Sequence, residues 1–444
     1  MNKEDNMRNV ILAVIVGITS FTLASINIAQ TCDLDIRRGT ASAEFDSIFT
    51  QDGPGKGLEP SGIAGWTGAD STYSTELPNG DSAFFFSDTY IGESPETIGD
   101  GTVSTDANGL RTRDVNCGPP ICDPPTNLFR LHNSIVVRDK LTGVLTTLTG
   151  PKDINGFSTS FFVPPAGTAT NHWYWMGDSV VVQTDAAGTK RLWVFLLEFD
   201  SSWTYYGSAI AQVALPSMQL EMIQPLGNMP TASNVNWGSA LWLEGEFGNY
   251  TLYIYGIKSA GIQKRPHVAK TSWLGSLFDV ANMLNWQAWD GYAWQSNIQN
   301  SAPIIGNSGD LNNAADSISD EFSVKKLRTT QGSAYVLVGM DTTVQFGAWK
   351  DITLYTACHP QGPYSAKTVV YSTPETGSNI VPGMSSGQTL RGNMFTYNPH
   401  MHPQFTSKRN LLISYNINAG NSGDLLFADT YRPRFIRVPI RGLQ

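Results

Sequence analysis

What most limits the fold of this chain is a recurring motif, a β-rich run, a turn and a second β-rich run. Five such pairs follow one another: Ser71–Leu77 with Ser82–Asp88, Ser179–Gln183 with Arg191–Phe199, Ala240–Leu243 with Thr251–Ile257, Ser323–Leu327 with Ala334–Met340, and Pro403–Thr406 with Asn410–Asn416. Pairs at intervals of very roughly 80 residues predict radial repetition, hence an all-β, five-bladed β-propeller over residues 61–444 with loops joining the outer strands. A β-sandwich with long insertions is the alternative. The longest helix candidate, Leu274–Trp286, is short.

Upstream, Lys3 and Arg8 precede an uncharged apolar stretch from Val10 to about Ala29, with small residues Ala24, Ser25 and Ala29 as cleavage points. Residues 1–29 therefore read as a signal peptide or as an N-terminal membrane anchor, and residues 30–60 as a linker or N-terminal arm. Either reading places the bulk of the chain outside the cytoplasm, secreted or attached to a membrane. There, Cys117 and Cys122 would close a small disulfide loop, Cys32 lacks a lipoprotein context, and Cys358 reads as a buried free thiol. The balance of 29 Lys and Arg against 38 Asp and Glu, with no basic run, argues against nucleic acid as a partner, because phosphate binding needs clustered cations.

The first pair carries the sharpest local inference. Its loop, Pro78-Asn79-Gly80, fits a three-residue hairpin ending in a left-handed glycine. That register sets Leu77 opposite Asp81 and Asp70 opposite Asp88. Opposed carboxylates destabilise a sheet and raise one pKa, so the pair is an acid and base, a cation site, or two strand-ending caps. The corresponding strand starts elsewhere carry Asp178, the Asn236-Trp237-Gly238 segment, Glu321 and His402. In a propeller these ends converge on the central channel. Glu244 and Glu246 fall near their hairpin turn on the opposite rim, and Asp279 and Asp290 in an outer connection.

Trp66, Tyr73, Trp173, Trp175 and Trp237 lie near the strand starts, as stacking faces for sugar rings or as core residues. Arg432 and Arg434 either close the last blade or hold an anionic sugar. His400 and His402 suggest zinc only superficially, because alternate strand residues point to opposite faces. No phosphate loop, Gly-x-Ser-x-Gly elbow or Cys and His nucleophile pair is present.

Several segments together carry a resemblance: Trp66-Thr67-Gly68-Ala69-Asp70 through Phe86-Ser87-Asp88-Thr89-Tyr90-Ile91-Gly92, Asn133-Ser134-Ile135-Val136, Glu321-Phe322-Ser323-Val324, Pro360-Gln361-Gly362-Pro363-Tyr364, His402-Pro403 with Leu412-Ile413-Ser414-Tyr415-Asn416, and Tyr431-Arg432-Pro433-Arg434-Phe435. Over residues 60 to 440 the chain resembles a bacterial group of uncharacterised five-bladed propellers, of the type described as domains of unknown function 4185 and 5005. That group includes endo-D-arabinanases of glycoside hydrolase family 183, and its fold is related to glycoside hydrolase family 43. The resemblance implies an Asp base, a pKa-tuning Asp and a Glu acid around the channel. Asp70 matches the base and Asp178 is similar in placement to the tuning residue. The third blade lacks the acid, since it reads Asn236-Trp237-Gly238, so Glu321 replaces it or Asp88 acts as the partner of Asp70. His402 would help hold a structural calcium ion through water, as in arabinanase-like propellers; no other cofactor is implied.

The expectation is an exported glycoside hydrolase cleaving a furanose-rich polysaccharide, best matched by endo action on D-arabinan. Asp70, Asp88, Glu321 and Asp178 are the catalytic candidates, and Trp66, Tyr73, Trp175, Trp237, His402 and Arg432 the substrate-binding ones. The alternative is a non-catalytic, lectin-like or adhesion propeller at the cell surface.

Overall fold

Strand pairing in the computed structural model turns four of the five hairpin units into the inner half of a sheet. The structure describes residues 34–49, 66–91, 130–154, 158–165, 171–227, 235–260, 263–273, 276–306, 316–330, 332–381, 389–407 and 409–443, with positions 32, 103–105, 111–113, 168 and 387. The predicted signal or anchor segment and the Cys117–Cys122 loop lie outside the described residues.

The chain is an all-β, five-bladed β-propeller. From the axis outward, the first blade runs Tyr73–Glu76, Ser82–Phe86, Ser134–Arg138 and Leu145–Leu148, and the second His172–Gln183, Lys190–Asp200, Tyr205–Ala214 and Gln219–Pro225. The third runs Val235–Glu244, Tyr250–Ala260, Gln263–Trp273 and Gln287–Trp289, and the fourth Ser323–Thr329, Gly332–Met340, Asp351–Ala357 and Thr368–Ser372. The fifth holds Phe395–Met401, Asn410–Asn418 and Arg432–Arg441. Each innermost strand packs on the next around the ring, and that of the fifth blade returns to the first.

The ring is cemented by five clusters of buried side chains, one between each pair of adjacent blades. Alternation along a strand explains this, because successive side chains point to opposite faces and each face meets a different neighbour. Thus Phe84 and Phe86 pack against Phe435 and Leu412 of the fifth blade, while Phe85 between them joins Tyr174 and Leu192 of the second. Burial on both faces is why these strands read as nearly continuous apolar runs.

Irregularities in the inner strands position what the channel presents. Register shifts fall between Met176 and Ser179, between Trp237 and Ala240, and between Tyr397 and His400, and in the first blade Ser71 and Thr72 take positive φ values of 70° and 22°. Such bulges re-aim side chains beside a cavity. Glycine is required at two of them: a Cβ on Gly177 would lie 2.5 Å from the Gly238 carbonyl oxygen, and Gly238, at φ 113°, approaches the Phe195 ring as closely.

The N-terminal arm closes the circle. Asp35–Ile36 pairs with Arg441 and Ile440 as the outermost strand of the fifth blade, Thr40–Ala41 pairs with Arg437 and Ile436, and Phe45 and Phe49 are buried between the fifth and first blades. Part of the predicted linker is therefore built into the ring. Cys358 is not a free thiol: it is bonded to Cys32, 326 residues away, pinning the arm to the fourth blade. A cross-link closing so long a loop removes much chain entropy from the unfolded state. Replacing both cysteines by Ser should lower the unfolding free energy by about 4 kcal/mol. Urea titration of both forms checks this; coincident midpoints would refute it.

Two further expectations change. The Leu274–Trp286 stretch forms only a five-residue helix, Leu277–Ala281, capped by Ser276, then a 3-10 turn, Met283–Asn285, because Asn282 is extended and breaks the run. In the fifth blade the inner strand is Phe395–Met401, and Pro403–Phe405 is a 3-10 turn, as suits a Pro with fixed φ and no N–H to donate.

Candidate active site at the channel mouth

At one end of the channel, where the inner strands begin, lies a cavity of about 300 Å³. Asp70 and Glu321 line it from the first and fourth blades, Trp175 from the second, Tyr397 from the fifth, with Trp349 and Phe346 at its wall. Two roomier hollows, about 630 and 480 Å³, surround the Pro78-Asn79-Gly80 turn at the other end of the first-blade hairpin, but neither is lined by a buried carboxyl group. Chemistry therefore singles out the smaller one.

Glu321 is 7% exposed. Burial, then the nearby Asp70 charge, push its carboxyl well above the usual range, against the opposing effect of a hydrogen bond from Ser71 Oγ to Oε1 at 2.8 Å. Its other oxygen lies 3.3 Å from His400 Nε2. That contact has the length of an ion pair, yet burial raises the pKa of Glu321 and lowers that of His400, so both shifts favour the neutral forms. A carboxyl with a raised pKa thus faces a cavity it shares with Asp70. Asp70 accepts a hydrogen bond from the Tyr397 hydroxyl at 2.8 Å, and Tyr397, its pKa raised well above 10 by burial and by Asp70, remains a donor.

Asp70 and Asp88 do face each other along the backbone: Tyr73 pairs with Phe85, Glu76 with Ser82 and Ala69 with Thr89, and the Asp70 N–H donates to the Asp88 carbonyl. Their side chains address different partners. Asp88 Oδ1 accepts from Trp175 Nε1 at 3.1 Å and lies 3.1 Å from His132 Nδ1, so it orients the Trp175 ring; the carboxyls that share the cavity with Asp70 are Glu321 and Asp320, the latter paired with Lys264.

The other predicted residues separate by depth. Asp178 is 2% exposed and lies outside the cavity lining, where its Oδ2 accepts from Lys325 Nζ at 2.7 Å and from the Leu241 N–H at 2.8 Å. Removing one member of a buried, hydrogen-bonded ion pair strands the other charge, so Asp178→Asn should cost about 3–5 kcal/mol of stability. Chemical denaturation is the check; an unchanged midpoint with lost turnover would make Asp178 catalytic instead. His402 is fully buried below the cavity, with Nδ1 2.6 Å from Ser74 Oγ, and burial and Lys325 push it down to about 3. It cannot meet a sugar there.

Four more substrate-binding candidates are corrected likewise. Trp66 belongs to the core beside Phe49 and Phe86, and Trp237 packs edge-on against Trp286, both at 0% exposure. Tyr73 is buried with its hydroxyl on the Ser239 carbonyl. Arg432, 5% exposed, binds Asp429 and the Asp46 carbonyl, holding the arm to the last blade. Of the six, Trp175 lines the cavity.

Tyr397, Trp349 and the Lys264–Asp320 pair at the rim escaped the sequence reading, and His400 was weighed there only as a zinc ligand. Tyr397-Asn398-Pro399 held a signal, since Asn tolerates the left-handed conformation it adopts at φ 50° and Pro cannot donate to a ladder, together a bulge signature. A calcium ion held through water at His402 would need hard oxygen donors; Asp178 is engaged by the Lys325 ammonium, and His402 Nε2 has no hydrogen-bond partner. Among the described residues no group of three or more His, Cys, Asp or Glu side chains is arranged to hold a metal ion directly.

The class of protein is thus a five-bladed propeller with an acidic cavity at its channel mouth. The chain belongs to the family described as Domain of unknown function (DUF5005), whose model matches residues 123–440. No curated protein matches its sequence significantly. Among solved structures, one from Bacteroides ovatus described as a "putative hydrolase" is 20% identical, with 90% of this chain and 89% of that one covered and a TM-score of 0.61. At that identity the likeness concerns the fold. More distant are a GH62 alpha-L-arabinofuranosidase catalytic domain from Coprinopsis cinerea (10% identity, 92% and 98% covered, TM-score 0.40) and a GH43_1 enzyme from Xanthomonas citri complexed with xylose (9%, 85% and 90%, 0.43), whose scores carry no argument.

Proposed function

We propose that the protein is a glycoside hydrolase acting on a furanose-rich polysaccharide, with D-arabinan as the specific substrate class and Asp70 and Glu321 as its carboxyl pair. The observation that carries this reading is a buried Glu321, its pKa raised by burial and by Asp70, sharing one cavity with Asp70. Glycosidic cleavage needs one carboxyl that gives a proton and another that takes one or attacks, and their environments must hold the two apart in pKa.

Glu321 donates its proton to the glycosidic oxygen as the bond to the anomeric carbon breaks. Asp70, oriented by Tyr397, either removes a proton from the attacking water or attacks the anomeric carbon itself. Trp175, its edge fixed by Asp88, offers a ring face to the sugar. The Cys32–Cys358 bond supports an extracytoplasmic location, where disulfides persist.

Incubation with D-arabinan, L-arabinan, galactan and xylan, followed by chromatography of products and reducing-end assay, tests the reading. New reducing ends from arabinan are expected. Retention of glycan without cleavage would favour the lectin-like alternative.

A further inference from the structure

Packed against the cavity-lining Trp175 stands an exposed ring that the proposed chemistry does not use. Trp203 occupies the turn between the second and third strands of the second blade and is 64% exposed. Its backbone is held at φ 62°, a conformation bulky residues rarely adopt, while Asp200 Oδ1 ties down the turn by accepting from the Ser202 and Thr204 N–H groups. Gly or Asn would suit the position better for folding. A large ring kept exposed at a strained turn is the kind of outlier from which a functional role is inferred.

The ring is connected to the cavity. Trp203 lies 5.3 Å from Trp175 and 6.1 Å from Trp173, centroid to centroid, and Trp175, which lines the cavity, packs on Phe199 at 4.7 Å. Trp173 is in turn stacked on His132 at 4.4 Å, with planes 10° apart. The exposed Trp203 thus packs against a ring that lines the cavity. Amphipathic rings of this kind present an apolar face with polar groups at the edge, which suits the C–H face and hydroxyl rim of a sugar.

We infer that Trp203, backed by Trp173 and Trp175, is a binding subsite for a neutral glycan chain extending out of the cavity. The proposal rests on the glycan-directed reading of that cavity and adds that its ligand is a chain longer than the cavity holds. Trp203 touches no reacting atoms, so its loss should weaken binding of polymer and leave turnover of short substrates unchanged.

The test uses the intact protein, Trp203→Asn and Trp203→Phe, Asn being chosen because it accepts the left-handed backbone. Mobility is measured in native gels containing D-arabinan, L-arabinan, galactan or xylan. Retardation of the wild type in at least one gel, weakened roughly ten- to thirty-fold in Trp203→Asn and largely kept in Trp203→Phe, is expected. With a cleaved polymer, Trp203→Asn should raise KM for the polymer while kcat and the constants for a short aryl furanoside stay put. Equal retardation of wild type and Trp203→Asn, or no retardation of the wild type in any gel, overturns the subsite. Retardation that depends on Trp203 without any cleavage would uphold the subsite while removing the hydrolase reading.

Discussion

Glu321→Gln should lower kcat on the polysaccharide by roughly two to four orders of magnitude, the range general acid catalysis supplies. Gln keeps the shape and the hydrogen bond from Ser71 but has no proton to give, and it removes a buried acid rather than a buried charge, so the fold should survive. The wild-type pH profile should show the same group. A raised pKa keeps Glu321 protonated above the usual carboxylate range, and activity should fall as pH climbs through that raised value. Stability follows the same sign: the contribution of neutral Glu321 is complete below its unfolded pKa and is lost as pH rises through the folded one. An aryl glycoside with a good leaving group, which needs little protonation, should rescue the variant in part. Full activity of Glu321→Gln on the polymer would reject the acid role.

Asp70→Asn should be equally damaging in turnover and nearly silent in affinity. Asn still accepts a hydrogen bond from Tyr397 but can neither take a proton nor act as a nucleophile, so the loss should appear in kcat with little change in KM. Added azide separates the two mechanisms: recovery of activity with an azide adduct of inverted configuration would mark Asp70 as the nucleophile. Tyr397→Phe should be milder, because it only releases the orientation of Asp70. If Asp70→Asn keeps wild-type kcat on a cleaved polymer, the catalytic assignment fails.

Residue chemistry alone carried the architecture a long way. Turn residues and β-rich runs marked four hairpin units in place, and the Pro78-Asn79-Gly80 loop was enough to set the first register, since a hairpin loop of defined length leaves one pairing. The fifth unit was misplaced because Pro403 to Thr406 reads as β-rich, whereas the actual inner strand, Phe395–Met401, is interrupted by its bulge. That shift put His402 where His400 and Tyr397 stand.

The sequence by itself determined an all-β chain of five repeated hairpin units, because turn chemistry and alternation act over a few residues and are written locally. Only the tertiary structure decided which chemical groups meet. Glu321 and Asp70 stand 251 positions apart and share a cavity because of ring closure, and the Cys32–Cys358 bond depends on the arm crossing to the fourth blade. Depth along the channel was also hidden: bulges at Gly177, Gly238 and Asn398 shift later residues relative to neighbouring strands, so equal counting places Asp178 level with Asp70 when it is bound to Lys325 instead. Core and surface divided the tryptophans in the same way, Trp66 and Trp237 going to the interior, Trp175 to the cavity and Trp203 to the exposed surface against it, since burial is settled by the neighbouring blade and not by the residue itself.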